Sequence, residues 1–126
     1  MSSAVARFGT KVPTICACCQ RLAAGFAYST NKWGKGPHIW WCETCAMQLN
    51  KSQAEKIYKM TTAKMQLWEN PALKKAGKDA GEFLDTIGKT DLATLTEDEW
   101  LEFLRRFVVA RERHLRNAIV NNEAPF

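Results

Sequence analysis

Hydrophobic positions change their period part-way along this chain. Phe26 and Tyr28 on one side, and Ile39, Trp40 and Trp41 on the other, form short runs suited to strands. The segment "NKWGKGP" between them carries Gly34, Gly36 and Pro37, which favour turns, so the stretch reads as a β-hairpin. After Cys42 the spacing becomes helical: Ala46, Leu49, Ile57, Met60, Leu67 and Trp68 recur among Lys51, Lys56, Lys59 and Lys64. This first helix is expected to stop near Glu69 and Asn70, because Pro71 disfavours the α conformation at the residue before it. Asn70 then caps a second helix with Pro71 at its first position, Leu73, Ala76, Ala80, Phe83, Leu84 and Ile87 as its apolar stripe, and Gly88 as its stop. Thr96 and Glu99 match a capping box that opens a third helix. Its expected core face is Trp100, Leu101, Leu104, Phe107, Val108, Leu115 and Ile119.

The five cysteines all fall between Cys16 and Cys45. Cys16 with Cys19, and Cys42 with Cys45, form two C-x2-C pairs separated by 22 residues. Each short loop can bring two sulfurs to one side of an ion, so the two pairs suit one tetrahedral Zn²⁺. A redox C-x-x-C needs a single pair, usually within a βαβ pattern, which is absent here. Cys18 could replace Cys19 through a C-x-C pairing, although the two-residue loop is the commoner geometry. Four sulfur ligands leave no open position for an activated water, so the metal is expected to be structural.

A knuckle, a hairpin and a helix whose first turn holds the second cysteine pair follow one another in the order of a treble-clef zinc finger. The expected fold is therefore small α+β and mainly α: a treble-clef-like four-cysteine zinc finger with a β-hairpin, then about three α-helices. Residues 1–69 would carry the finger, hairpin and first helix, and residues 70–126 a helical half sharing its core. A chain of 126 residues has room for such a core without disulfides. No apolar run approaches a membrane span, and "MSSAVARFGTKVPTI" lacks the apolar stretch of a signal peptide. A reducing, cytoplasmic setting is expected, where disulfides are improbable.

The stretch "GEFLDTIGKTDLATLTEDEW", placed behind a four-cysteine finger, resembles an uncharacterised family of small bacteriophage and prophage proteins of proteobacteria. The likeness covers about the last 45 residues and the placement of the finger, and "IGKTDLATLTEDEW" is its most specific part. It implies a phage or prophage origin, a bacterial host cytoplasm and no assigned enzymatic activity.

Charge is concentrated early. Residues 1–41 hold Arg7, Lys11, Arg21, Lys32 and Lys35 and no acid, which accounts for the whole formal charge of +5. Four thiolates and one Zn²⁺ would lower that total to about +3. The hairpin tip "NKWGKGPH" places Trp33 between Lys32 and Lys35, with His38 following, a composition suited to phosphate contact and base stacking. Arg21 in the first knuckle would join it. The same tip could anchor a protein partner or be plain solvated surface. Arg105, Arg106, Arg111, Arg113 and Arg116 are offset by acids on their own helix, with Glu102–Arg106 and Glu112–Arg116 in the favourable i,i+4 order. The residues "NNEAPF" end in Pro125 and Phe126, as do the acidic tails of bacterial single-stranded DNA-binding proteins. Two Asn stand where those tails carry acids, and a frayed terminus is the plainer alternative.

Catalysis finds little support. His38 and His114 are the only histidines, no acid precedes Cys42, and no Gly-rich phosphate loop or Ser-His-Asp set is present. Two expectations follow: a non-enzymatic accessory protein that binds single- or double-stranded DNA, or an adaptor that engages a host or phage protein. Neither a membrane nor a small-molecule substrate is expected as a partner.

Overall fold

The computed structural model describes residues 14–23, 26–29 and 38–126, and Lys32, Trp33 and Lys35 lie outside them. The chain forms two compact units, Met1–Lys59 and Met60–Phe126.

In the first unit, β1 (Thr14–Ile15) pairs antiparallel with β2 (Leu22–Ala23), and β3 (Phe26–Ser29) pairs antiparallel with β4 (His38–Trp41). The hairpin register sets Phe26 opposite Trp41 and Ser29 opposite His38. Side chains alternate across β4, so Ile39 and Trp41 are buried while His38 and Trp40 face outward. Two short helices follow, α1 (Glu43–Gln48) and α2 (Lys51–Tyr58). The single long helix expected after Cys42 is broken here for a local reason. Leu49 is extended, and Asn50 forms a reciprocal capping box with Gln53 that restarts the helix.

In the second unit, α3 (Thr62–Ile87) and α4 (Glu97–Val120) form an antiparallel pair joined through a single 3₁₀ turn, Leu92–Thr94. Thr61 caps α3, and Pro71 lies inside it rather than at its first position. The expected boundary at Asn70 is therefore corrected. Trp68, Ala72, Ala76 and Ala80 repeat every fourth residue on the buried face, and that repeat runs straight through Pro71. Packing along one continuous face outweighs the lost backbone bond, whose orphaned carbonyl belongs to the exposed Leu67. Gly88 ends the helix in the left-handed region at φ 69°, and the Thr96–Glu99 capping box opens α4, both as the sequence predicts.

The expected core face of α4 needs a larger correction. Ala110, Leu115 and Ile119 are buried, yet Trp100, Leu101, Leu104 and Val108 are all exposed. A helix that packs on one partner buries a narrow strip, and small side chains dominate it here: Ala72, Ala76 and Ala80 of α3 with Ala110 of α4. Trp68 adds the one large aromatic, its indole N–H donating to the Leu115 carbonyl at 3.1 Å. Polar clamps complete the pair. Arg111 binds Glu69, Arg113 and His114 meet Asp79 at 2.7 and 3.3 Å, and Lys89 meets Glu99 at 2.6 Å.

The Lys89 ammonium, helped by the Thr96 backbone N–H, holds the Glu99 carboxyl below the usual carboxylate range. Its contribution is thus present above that range and is lost as pH falls through the lowered value. Exposure of the pair keeps the effect small.

Leu115→Ala is expected to destabilise the protein by about 2–5 kcal/mol in chemical denaturation, as removal of a fully buried leucine does. Leu104→Ala, at an exposed position of the same helix, should change stability by roughly 0.5 kcal/mol or less.

Candidate metal centre

Cys16, Cys19, Cys42 and Cys45 converge, and their four Sγ atoms all lie within 4.8 Å of one another. Cys19 and Cys42, 23 positions apart, approach to 3.6 Å. That distance is far too long for a disulfide, whose sulfurs stand about 2.05 Å apart. A tetrahedral centre with metal–sulfur bonds of about 2.3 Å has sulfur–sulfur edges of about 3.8 Å. The donor set and its spacing therefore fit one tetrahedral metal ion.

Local structure explains how four sulfurs reach one place. Between β1 and β2 the chain reverses, with the Cys16 N–H donating to the Arg21 carbonyl at 2.8 Å and the Gln20 N–H to the Cys16 carbonyl at 3.1 Å. Gln20 closes this knuckle at φ 65°, a left-handed conformation that non-glycine residues adopt at a cost. Ala17 ties the knuckle to the hairpin by donating to the Trp40 carbonyl at 2.9 Å. The second pair is set by α1: Cys42 is its N-cap and accepts the Cys45 N–H on Sγ at 3.4 Å, while Cys45 lies in the first turn.

The cluster is largely shielded from solvent. Cys16, Cys19 and Cys45 are fully buried, and Cys42 is half-buried. Hydrogen bonds from the Cys19 and Cys45 side chains hold the Cys16 thiol far below its usual range, whereas the bonds shared with Cys16 and Cys45 push Cys19 up. Backbone N–H groups of Cys42 and Cys19 also favour the Cys16 thiolate, and that of Arg21 favours the Cys19 thiolate. A divalent ion held by the four sulfurs would allow all of them to ionise.

Cys18 is buried in the same knuckle, but its sulfur is not one of the four. Arg21 is exposed at the end of the knuckle, and His38 is exposed at the start of β4. His38 stands beside Trp40, with ring centroids 6.5 Å apart. Trp40 is a surface aromatic that sequence reasoning placed in a strand without assigning it a face; the alternation through Ile39 and Trp41 was the available signal. Pro125 is half-buried and Phe126 exposed, well apart in sequence from the cysteines.

The comparisons bear on the other unit. Residues 65–126 match the model of a family of unknown function (DUF6511). The match covers α4 and nearly all of α3, and leaves out the cysteine cluster. No curated protein and no solved structure matches the chain. Among the described residues, no helix is long and apolar enough to cross a membrane.

Cys19→Ala should abolish stoichiometric metal binding, whereas Cys18→Ala should retain one ion per chain, measured by metal analysis after gel filtration. Acidification should release the ion, because protons compete for the thiolates. At the knuckle, Gln20→Gly should keep the metal, and Gln20→Val should weaken its retention against a chelator, since a β-branched side chain opposes positive φ.

Proposed function

We propose that this chain is a non-enzymatic nucleic-acid-binding accessory protein whose first unit is a treble-clef finger built on structural Zn²⁺. The order of elements supports the treble clef: a knuckle between β1 and β2, the β3–β4 hairpin, and a cysteine pair at the start of α1. All-sulfur ligation favours Zn²⁺, and it fills every coordination position, which argues for a structural rather than catalytic ion. The resemblance of the helical stretch to phage and prophage proteins favours an origin in a phage or prophage and action in the bacterial cytoplasm.

The observation that carries the nucleic-acid reading is the outward pair on β4. His38 and Trp40 share one exposed face of a strand whose other face is buried, and that strand is bonded to the knuckle bearing Arg21. An exposed aromatic beside cationic groups is the composition of a stacking platform for bases. Lys32, Trp33 and Lys35 of the intervening segment would extend it.

A second reading, an adaptor for a host or phage protein, is favoured by the exposed apolar stripe of Leu101, Leu104 and Val108 on α4 and by the exposed Phe126. Salt separates the two, because phosphate contacts release counterions and an apolar interface does not.

Zinc-loaded protein is expected to bind labelled DNA with an affinity that falls steeply as salt rises. Lys32→Ala should reduce the salt slope, and Trp33→Ala or Trp40→Ala should remove about 1–3 kcal/mol of stacking free energy at constant salt. Absence of binding at low salt would reject the nucleic-acid reading in favour of the adaptor.

A further inference from the structure

The ion pairs of the helical unit sort its cations into two groups. Every arginine of α4 has an acid: Arg105 and Arg106 share Glu102, Arg111 takes Glu69, Arg113 takes Asp79, and Arg116 takes Glu112. Among the described residues, the ammonium groups of Lys64, Lys74, Lys75 and Lys78 on α3 have no such partner, and all four are exposed. At about 100° per residue these lysines, with Leu67 and Pro71, fall within an arc of about 100° on one side of the helix. The buried positions Trp68, Ala72, Ala76 and Ala80 occupy the adjoining arc.

A cavity of about 280 Å³ opens where the two arcs meet. Leu67, Trp68, Pro71 and Ala72 of α3 and Ala118 of α4 give it apolar walls, and Lys75, His114 and Glu123 supply its polar groups. The Trp68 indole N–H is already satisfied by Leu115 and its ring is 3% exposed, so the accessible apolar wall is made chiefly by Leu67 and Pro71. The cavity's combination of apolar walls, an unpaired cation at the edge, and both an imidazole and a carboxylate suits a planar heterocycle attached to an anionic chain. A lipid surface would match the lysines but leave the polar groups of the cavity without a purpose.

We infer that the lysine face of α3 is a second binding surface for single-stranded nucleic acid, with Lys64, Lys74, Lys75 and Lys78 contacting phosphates and the adjoining cavity receiving one unstacked base. This inference rests on the nucleic-acid reading above but uses different residues on the other unit. A duplex keeps its bases stacked and cannot fill the cavity, so the surface discriminates in favour of single strands. Glu123 accepts hydrogen bonds, which favours a base with an exocyclic amino group.

The test uses the full zinc-loaded chain with a labelled single-stranded DNA oligomer of mixed sequence, the corresponding duplex, and phosphatidylserine vesicles. Lys74→Glu/Lys78→Glu should weaken single-strand binding at least tenfold and lower the salt slope by roughly 1.4, at about 0.7 per phosphate on a single strand. Ala118→Phe, which fills the cavity, should remove the preference for single strand over duplex, and the Trp68 indole N–H resonance should shift when the oligomer is added. Single-strand binding that survives Lys74→Glu/Lys78→Glu while Lys32→Ala and Trp33→Ala weaken it overturns this inference and leaves the proposed function standing. Vesicle binding that matches DNA binding and is lost with the same lysines overturns it in favour of a membrane surface. An unchanged strand preference in Ala118→Phe overturns the base pocket, and wild-type protein that binds no DNA overturns both readings.

Discussion

Four sulfurs brought within 4.8 Å of one another constrain the knuckle between β1 and β2, β4 and the start of α1. Two unit charges about 4 Å apart repel by about 4 kcal/mol at an effective dielectric of 20, so four thiolates cannot share that space without a compensating cation. Protons offer a partial remedy, at the expense of ligand charge; a divalent ion is the remedy that leaves every sulfur ionised. Among the described residues, the other elements of the unit are short. Its first ladder pairs two residues with two, its second pairs four with four, and α1 has six residues. Elements this short do not persist in water unaided. A divalent ion at the cluster would tie the knuckle, the hairpin and the start of α1 together.

The helical unit depends on close approach instead. Alanines at every fourth position let α3 lie near α4, and the single large aromatic on that strip, Trp68, is fixed by a hydrogen bond as well as by burial. A pair of long helices needs only a narrow apolar strip, so the remaining apolar residues of α4 stay on the surface. This is why a helix with a strong apolar pattern shows Leu101, Leu104 and Val108 to solvent. Helical period alone reports that a face is apolar, not how many neighbours will cover it.

The features that local chemistry dictates were legible in the sequence: the four cysteines of the cluster, the strands flanking Gly34 and Gly36, the left-handed stop at Gly88, and the capping box at Thr96. Each depends on residues a few positions apart. The failures came where distant packing overruled a local preference. Pro71 reads as a helix start because its ring restricts the residue before it, but the buried repeat from Trp68 to Ala80 carried the helix through it. Asn50 was the missed signal in the other direction, since its capping box with Gln53 splits what reads as one helix. The pairing of Arg111 with Glu69 lay beyond any local rule, because 42 positions separate the partners. Gln20 gave no sign of its left-handed backbone, a conformation that glycine would have announced.

Charge shows the same distinction between totals and arrangement. Residues 60–126 carry ten Lys and Arg against eleven Asp and Glu, a nearly neutral sum that argues against a polyanion partner. Arrangement adds what the sum leaves out. Arginine, with its planar fork of donors, takes four of these acids, Glu69, Asp79, Glu102 and Glu112, along and across the helices, whereas Lys64, Lys74, Lys75 and Lys78 of α3 have no acid partner among the described residues. Acids engaged by arginines do little to screen cations on another face, so the stretch of α3 from Lys64 to Lys78 still presents a lysine cluster, with the exposed Glu82 and Asp85 following on the same side of the helix. The basic character of the chain therefore does not end with the acid-free first 41 residues, although a count of charges along the sequence places all of it there.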